Sequence, residues 1–341
     1  MLYFYTDYMA GAHPEVASAM AKAGLEPHVG YGLDPVTENA RKLILKACGL
    51  EKGAVHFLVG GTQANATVID ALVRHTEGVL CAASGHINVH ESGAIEASGH
   101  KVIGLDAAEG RLSAATVERY LKDFYADETW EHMVIPRLVY ISQPTELGTL
   151  YSRDELKALR EVCRCYGLYL YVDGARLGYA LAAPDNDVTL YDLAALCDAF
   201  YIGGTKVGAY FGEAVVLPEP ALCPHFFSLV KQHGALLAKG FLLGAQFEAL
   251  FTDRLYLRIG EHAIAMAARL RQALEARGYR LAVNSQTNQL FPVLPNAVLD
   301  RLTPLVGFEV WGVRGESETT VRFVTSWSTA EEDVEKLIAL L

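Results

Sequence analysis

The amino-acid sequence predicts an α/β protein built on a mostly parallel sheet, with a smaller α+β unit behind it. Three observations carry that reading. Between residues 51 and 217 short apolar runs alternate with longer amphipathic ones, as strands joined by helical crossovers do. The link from Ile202 to Ala214 is too short and too glycine-rich for a crossover, so the strand after it is expected to run antiparallel to the one before. From about residue 224 the order changes to long helices followed by short strands.

Taken in order, residues 1–50 carry two helical patterns, expected to pack on the large domain or on a partner subunit. The strand candidates are 55–59, 79–82, 101–105, 138–142, 168–172, 199–202 and 214–217, which together make a seven-stranded sheet. Helical patterns such as "TQANATVIDALVRH" and "SRDELKALREVCRCYG" separate most of them. Helices over roughly 235–250 and 254–277 lead to short strands near 280–283, 289–293, 308–312 and 320–324, and a last helix begins near Thr329. The expected division is an N-terminal segment over 1–50, a large domain over 51–250 and a small C-terminal domain over 251–341.

At 341 residues and 51% hydrophobic the chain suffices for two cores. A net charge of −11 with no basic stripe argues against a nucleic-acid partner. No apolar run has the length of a membrane span, and the start "MLYFYTDYMAGAHPE" lacks a signal peptide's basic-then-apolar order. The six scattered cysteines, with no C-x-x-C among them, read as reduced thiols of a cytoplasmic protein. Cys163 and Cys165 fall on different faces of a helix, which argues against a shared metal.

Four segments hold the candidate chemistry. In "VHFLVGGTQANATVIDALV" a strand ends in Gly60-Gly61 and a helix opens at Thr62, so Gly61, Thr62 and Gln63 would offer free N–H groups to a phosphate, although the same residues suit a turn and N-cap. In "LYLYVDGARLGYA" Asp173 follows an apolar strand, at the strand end where open α/β sheets bind ligands, and Arg176 stands beside it. A loop or N-cap aspartate is the simpler alternative. In "SGHINVHESGAIEASGH" His86, His90 and Glu91 cluster at a helix start. Without H-E-x-x-H or further ligands, no metal is expected there. His100 reads as surface. In "CDAFYIGGTKVGAYFGEAVV" one lysine, Lys206, sits in a glycine-lined bend between apolar strands. Burial lowers an ammonium's pKa and yields a nucleophilic amine able to form a Schiff base, whereas a snorkelling surface lysine would read the same way. A phosphate cradle, a strand-end carboxylate, a ring-stacking candidate and a late lysine are together what pyridoxal 5'-phosphate needs.

With "VGYGLDPVTENARKL", "GGTQAN", "GHINVHESGA", "YVDGARL", "GGTKVGA" and "VRFVTSW" in this order, the chain resembles the low-specificity L-threonine aldolases of the aromatic amino acid β-eliminating lyase/threonine aldolase group, from "YTDY" to its last helix. The resemblance implies the fold-type-I pyridoxal phosphate transferase fold and aldol cleavage of L-threonine, L-allo-threonine or a related β-hydroxy-α-amino acid to glycine and an aldehyde. β-Elimination, decarboxylation or transamination on the same cofactor is the alternative. The resemblance implies Lys206 as the Schiff-base lysine with Thr205 beside it, Asp173 as partner of the ring nitrogen, and His86 stacked on the ring. Gly61, Thr62 and Gln63 would hold the phosphate. Arg176, Arg322 and Thr6 would lie near the substrate carboxylate. Tyr31 and Lys239 would complete a neighbouring subunit's site in a homodimer or homotetramer. The chain departs from the family where "ISQPTELGTLY" replaces a segment with an aldol-assisting histidine, leaving Thr145 or Glu146 in its place, and where His90 stands for a tyrosine. His86 is then the first candidate for the base, with His90 or Glu146 taking over part of the absent histidine's task.

Overall fold

The computed structural model describes residues 1–341. The chain opens with β1 (Leu2–Tyr3) and helices Pro14–Ala23 and Pro35–Ala47. The large sheet follows as β2 (Ala54–Leu58), β3 (Glu77–Ala82), β4 (Lys101–Leu105), β5 (Ile135–Ser142), β6 (Tyr169–Asp173), β7 (Ala199–Gly203) and β8 (Glu213–Leu217). Their spatial order is β2-β8-β7-β6-β5-β3-β4. Only β8 runs against its neighbours, β2 and β7. The sequence expectation of a mostly parallel seven-stranded sheet with one antiparallel strand therefore holds.

Both faces of the sheet are covered, and side-chain alternation divides the core in two. Val139 and Ile141 of β5, Leu170 and Val172 of β6, and Phe200 and Ile202 of β7 enter one cluster. Leu138 and Tyr140, Tyr171, and Ala199 and Tyr201 point the other way, against the helix Gly61–Leu72. The second face is where tyrosines accumulate, and their hydroxyls matter below.

The helix Leu255–Ala276 joins the two domains. Leu255, Tyr256 and Ile259 pack on the large core, whereas Met266, Leu270 and Leu274 belong to the small one. The small domain holds β9 (Gln289–Leu290), β10 (Val293–Pro295), β11 (Val306–Gly307), β12 (Glu309–Val310), β13 (Glu318–Val324) and the helix Glu331–Leu340. Three details differ from the sequence reading. The run near 280–283 makes a single bridge, Leu281 to Pro292, rather than a strand. The first residues do not stay with the large domain: β1 pairs in parallel with β11 and Phe4 is buried among small-domain side chains. A two-residue strand gives too little periodicity to be recognised in sequence. The helix expected over 235–250 begins only at Phe241 and runs to Phe251, and a separate short helix, Phe226–Gln232, precedes it across a turn with Gly234 in the left-handed region.

The bridging helix lies so close to the helix Leu177–Ala182 that a Cβ on Gly260 would come 2.3 Å from the Gly178 carbonyl and 2.9 Å from Ala182 Cβ. Gly260→Ala is expected to destabilise the protein by about 1–3 kcal/mol through overpacking, read as a lower midpoint in chemical denaturation.

Candidate active site

Strands β2, β3, β5, β6 and β7 share a direction, so their carboxyl ends meet along one edge, and antiparallel β8 begins there. At that edge lies a cavity of about 330 Å³. Its lining comes strand by strand: Val59–Thr62 after β2, His86 after β3, Ser142 and Pro144–Glu146 at the end of β5, Asp173, Ala175 and Arg176 at the end of β6, Tyr201 in β7 with Thr205 and Lys206 after it, and Glu213 at the start of β8. This is the position at which open α/β sheets bind ligands.

Asp173 forms the floor. Its Oδ1 accepts from Tyr201 Oη at 2.5 Å and Ala175 N at 2.9 Å, and its Oδ2 accepts from Tyr140 Oη at 2.7 Å and Asn65 Nδ2 at 3.0 Å. Burial alone would raise its pKa, but the two tyrosines, the His86 charge and the Ala175 N–H reverse that and hold it below the ordinary carboxylate range. Burial pushes Tyr201 and Tyr140 well above the usual phenol range, so they remain neutral donors. Asp173 is thus a dry, ionised carboxylate with no cation bonded to it.

Lys206 comes from the bend expected for it. Burial lowers its pKa, the nearby Arg176 lowers it further, and Asp7, Asp173 and Glu213 only partly offset this. Thr205 Oγ1 donates to Glu213 Oε1 at 2.9 Å and Gly204 N to Glu213 Oε2 at 3.0 Å, pinning the bend. Burial carries the Glu213 carboxyl well above the usual range against the pull of Thr205 and Lys206. The turn after β6 lies tight against β7, because Gly174 lets the Tyr201 carbonyl pass 1.9 Å from where a Cβ would stand.

The helix Gly61–Leu72 has Gly60 as its N-cap and no side-chain cap. Its first internal bond is Ala64 N to Gly60 O, so the N–H groups of Gly61, Thr62 and Gln63 are free for a ligand. The Gln63 side chain is otherwise engaged: Oε1 accepts from Val59 N at 3.1 Å and Nε2 donates to His233 O at 3.1 Å.

His86 opens the short helix His86–Val89 and lines the cavity, its Nδ1 2.7 Å from Glu91 Oε1. Glu146 also lines it. Its Oε1 accepts from His86 N at 2.9 Å and Ser142 Oγ at 2.7 Å, while Oε2 accepts from no other residue. Burial raises the Glu146 pKa against the lowering effect of Ser142, which makes it a stronger base than an ordinary glutamate. Thr145 instead turns into loop bonding with Thr149 at 2.7 Å.

Not every expected residue is assembled there. His90 is exposed, its ring centroid 5.8 Å from that of His86, because it caps a helix of only four residues. Arg176 lines the cavity but is paired with Asp7, Nε to Oδ2 at 2.7 Å and Nη2 to Oδ1 at 3.1 Å, as a buried guanidinium requires. Only Nη1 lacks a protein partner. Arg322 lies outside the cavity lining, bonded to Gln289 at 3.0 Å and to Glu309. Thr6 lines a separate cavity beside Ser326, and its buried hydroxyl has no partner. Tyr31 and Lys239 are exposed away from the cavity but close to each other, since Tyr31 N donates to Ala238 O at 3.1 Å. His100, expected at the surface, is 2% exposed, because Asp70 Oδ1 provides its Nε2 with a partner at 3.1 Å.

Several site residues escaped the sequence reading. Tyr140 and Tyr201 look like ordinary strand aromatics. Asn65 had a signal, one helical turn beyond Gly61 and so on the same face. Asp7 had none, because its partner lies 169 residues away.

The cavity fits pyridoxal phosphate. It joins free helix-start N–H groups, an amine with a depressed pKa and no hydrogen-bond partner, and an ionised carboxylate at its floor.

Residues 4–296 match the family model described as Beta-eliminating lyase. The chain is 31% identical to a low specificity L-threonine aldolase of Pseudomonas aeruginosa, over 98% of this chain and 95% of that protein. A threonine aldolase of Leishmania major has 42% identity and a TM-score of 0.96, with 100% of this chain and 98% of that one covered. A single-mutant aspartate aminotransferase of Thermus thermophilus, 14% identical with a TM-score of 0.72, covers 100% of this chain and 90% of that one and shares the fold alone.

Glu213 yields a pH prediction. Its folded pKa lies above its unfolded one, so the folded state keeps a proton that the unfolded state has lost. Its contribution is most favourable below the ordinary glutamate range and declines as pH rises through the raised value. Glu213→Gln removes that loss. The melting temperature of the variant relative to the parent should be higher at pH 9 than at pH 6, measured without cofactor.

Proposed function

The chain belongs to the beta-eliminating lyase family, and from that premise we propose that it cleaves threonine, allo-threonine or a related β-hydroxy-α-amino acid to glycine and an aldehyde. It is a pyridoxal-phosphate-dependent lyase of fold type I. The observation that carries the aldol reading is the free oxygen of Glu146 in the same cavity as Lys206, Asp173 and His86. Cleavage of a Cα–Cβ bond beside a hydroxyl needs a base for that hydroxyl, and Glu146 supplies one.

Lys206 would hold the cofactor's aldehyde carbon, the N–H groups of Gly61, Thr62 and Gln63 its phosphate, Asp173 its ring nitrogen and His86 its ring face. When bound, pyridoxal phosphate supplies an electron-withdrawing ring that weakens the bonds at the substrate's Cα. The remaining work falls to the chain. Asp173 presents its negative charge without reorganisation, since four fixed donors orient it. Arg176, steadied by Asp7, offers Nη1 to the substrate carboxylate. Glu146 Oε2 takes the β-hydroxyl proton as the aldehyde departs, while Ser142 and the His86 N–H keep Oε1 in place. Arg322 lies within electrostatic reach of Arg176 and Asp7, its own bonds going to Gln289 and Glu309. β-Elimination on the same platform would give a keto acid and ammonia instead.

We further propose a homodimer or larger oligomer in which Tyr31 and Lys239 complete a neighbour's site. Supporting this, Tyr3, Tyr5, Tyr8, Met9, Leu25 and Val29 of the N-terminal segment expose apolar surface in the single chain. No helix is long and apolar enough to cross a membrane, and five of the six free cysteines are buried, consistent with a cytoplasmic protein.

Incubation of the cofactor-loaded protein with threonine isomers and phenylserine should yield glycine and aldehyde in equal amounts; a keto acid with ammonia would overturn the aldol reading. Glu146→Gln should lower kcat about 10²–10⁴-fold with cofactor still bound, whereas exposed His90→Ala should leave kcat near the parent's. A mixture of inactive Lys206→Ala and Tyr31→Ala chains should regain part of the activity if sites are shared between subunits, and none if each chain is self-sufficient.

A further inference from the structure

We propose that Glu91 is a positioning residue that keeps the His86 imidazole protonated on Nδ1 and, through the Asn65 amide it shares with Asp173, binds the cavity-lining histidine and the strand-end aspartate into one charged unit. Glu91 Oε1 lies 2.7 Å from His86 Nδ1 and 2.7 Å from Asn65 Nδ2. The same Nδ2 reaches Asp173 Oδ2 at 3.0 Å. Tyr171 Oη donates to Asn65 Oδ1 at 2.9 Å, which fixes the amide with its nitrogen toward both carboxylates. A carboxylate only accepts, so the ring nitrogen facing Glu91 is the one that carries the proton.

The backbone is shaped to deliver this carboxylate. The short helix ends at Val89, and Ser92 and Gly93 then turn the chain with φ of 52° and 72°. Glycine adopts that conformation freely, but serine does so under strain, and strain of this kind persists where the surroundings demand it. As a result the Glu91 side chain is 0% exposed, against 37% for His86. Its second oxygen, Oε2, is buried with no partner at all. A side chain needed only for shape would not keep a dry, unpaired carboxylate oxygen, so the charge itself is the useful property.

The groups around His86 agree. Glu91 and His90 come from its own turn, Asp173 from β6, Glu146 from beyond β5 and Lys206 from the β7–β8 bend, with neutral Asn65 and Tyr140 between them. Burial would push the imidazole's pKa down, and Lys206 assists that. The Glu91 hydrogen bond and the Asp173 charge outweigh both and hold it above the usual histidine range. A histidine kept protonated is a hydrogen-bond donor rather than a base, which leaves proton abstraction to Glu146. This consequence rests on the lyase reading, but the protonation state does not.

Glu91→Gln isolates the charge. The amide oxygen retains both hydrogen bonds at Oε1, and the amide nitrogen takes the place of an oxygen that had no partner to lose. Nitrogen-15 spectra of the His86 ring, assigned by loss of its signals in His86→Asn, are recorded against pH in the cofactor-loaded protein without substrate. The expected result is a doubly protonated ring near neutral pH in the parent and a titration moved to lower pH in Glu91→Gln, with the variant folded as judged by its circular dichroism spectrum. The matching limb of the kcat/KM profile should move the same way. A parent spectrum with Nδ1 unprotonated at neutral pH overturns the inference even if the variant does not fold. An unchanged His86 titration in a folded Glu91→Gln overturns it equally. Because no substrate is present, failure of aldol cleavage would leave this measurement intact.

Discussion

The site depends on keeping the Asp173 carboxylate ionised in a dry pocket. A buried charge is costly unless hydrogen bonds replace its lost water. Here the replacements are neutral and come from four places: the β5 tyrosine, the β7 tyrosine, the phosphate-side helix and the turn after β6 itself. A bonded arginine or lysine would also have stabilised the charge, but it would have neutralised it. Neutral donors hold the carboxylate and leave its field directed at the cavity. The fold's register follows from this. Tyr140 and Tyr201 reach Asp173 only because β5, β6 and β7 are adjacent and in parallel register, with Ser142 opposite Asp173 and Phe200 opposite Val172. A slip of one residue would turn both hydroxyls to the other face.

The antiparallel strand is the second constraint. A helical crossover after β7 would carry the chain away from the strand ends. The tight bend instead returns it at once, so that Lys206 and Glu213 stand at the same edge as Asp173. Burial then moves the lysine toward its neutral form and the glutamate toward its own, with their mutual attraction only partly opposing this, so the pocket carries fewer buried charges without losing either group.

Much of this was legible in the sequence because it is local. The strands declared themselves by apolar runs, Asp173 by its place at the end of one, Lys206 by its glycine-lined bend and the helix start by Gly60-Gly61-Thr62. What stayed hidden is long-range. Asp7 meets Arg176 across 169 positions, and Asn65 meets Asp173 across 108. Nothing near Asp7 announces Arg176, and the helical spacing of Asn65 from Gly61 marks its face but not its partner. The two-residue β1, paired with β11 across the chain, is hidden for the same reason. His100 misled because a lone polar residue before a strand resembles a surface one, and only the fold brings Asp70 to it.

The glutamate that stands where the resemblance implies an aldol-assisting histidine also finds its physical logic at this edge. A second imidazole near His86 would compete for the same carboxylates. A glutamate at position 146 instead receives a donor from the His86 backbone and another from Ser142, both on one oxygen, and its other oxygen accepts from no other residue. Burial raises its basicity without a cation to neutralise it. In such an arrangement the base is selected less by residue type than by which acceptor the surrounding donors leave unsatisfied. On the proposed reading that acceptor is Glu146 Oε2, while His86, held by Glu91, keeps its charge.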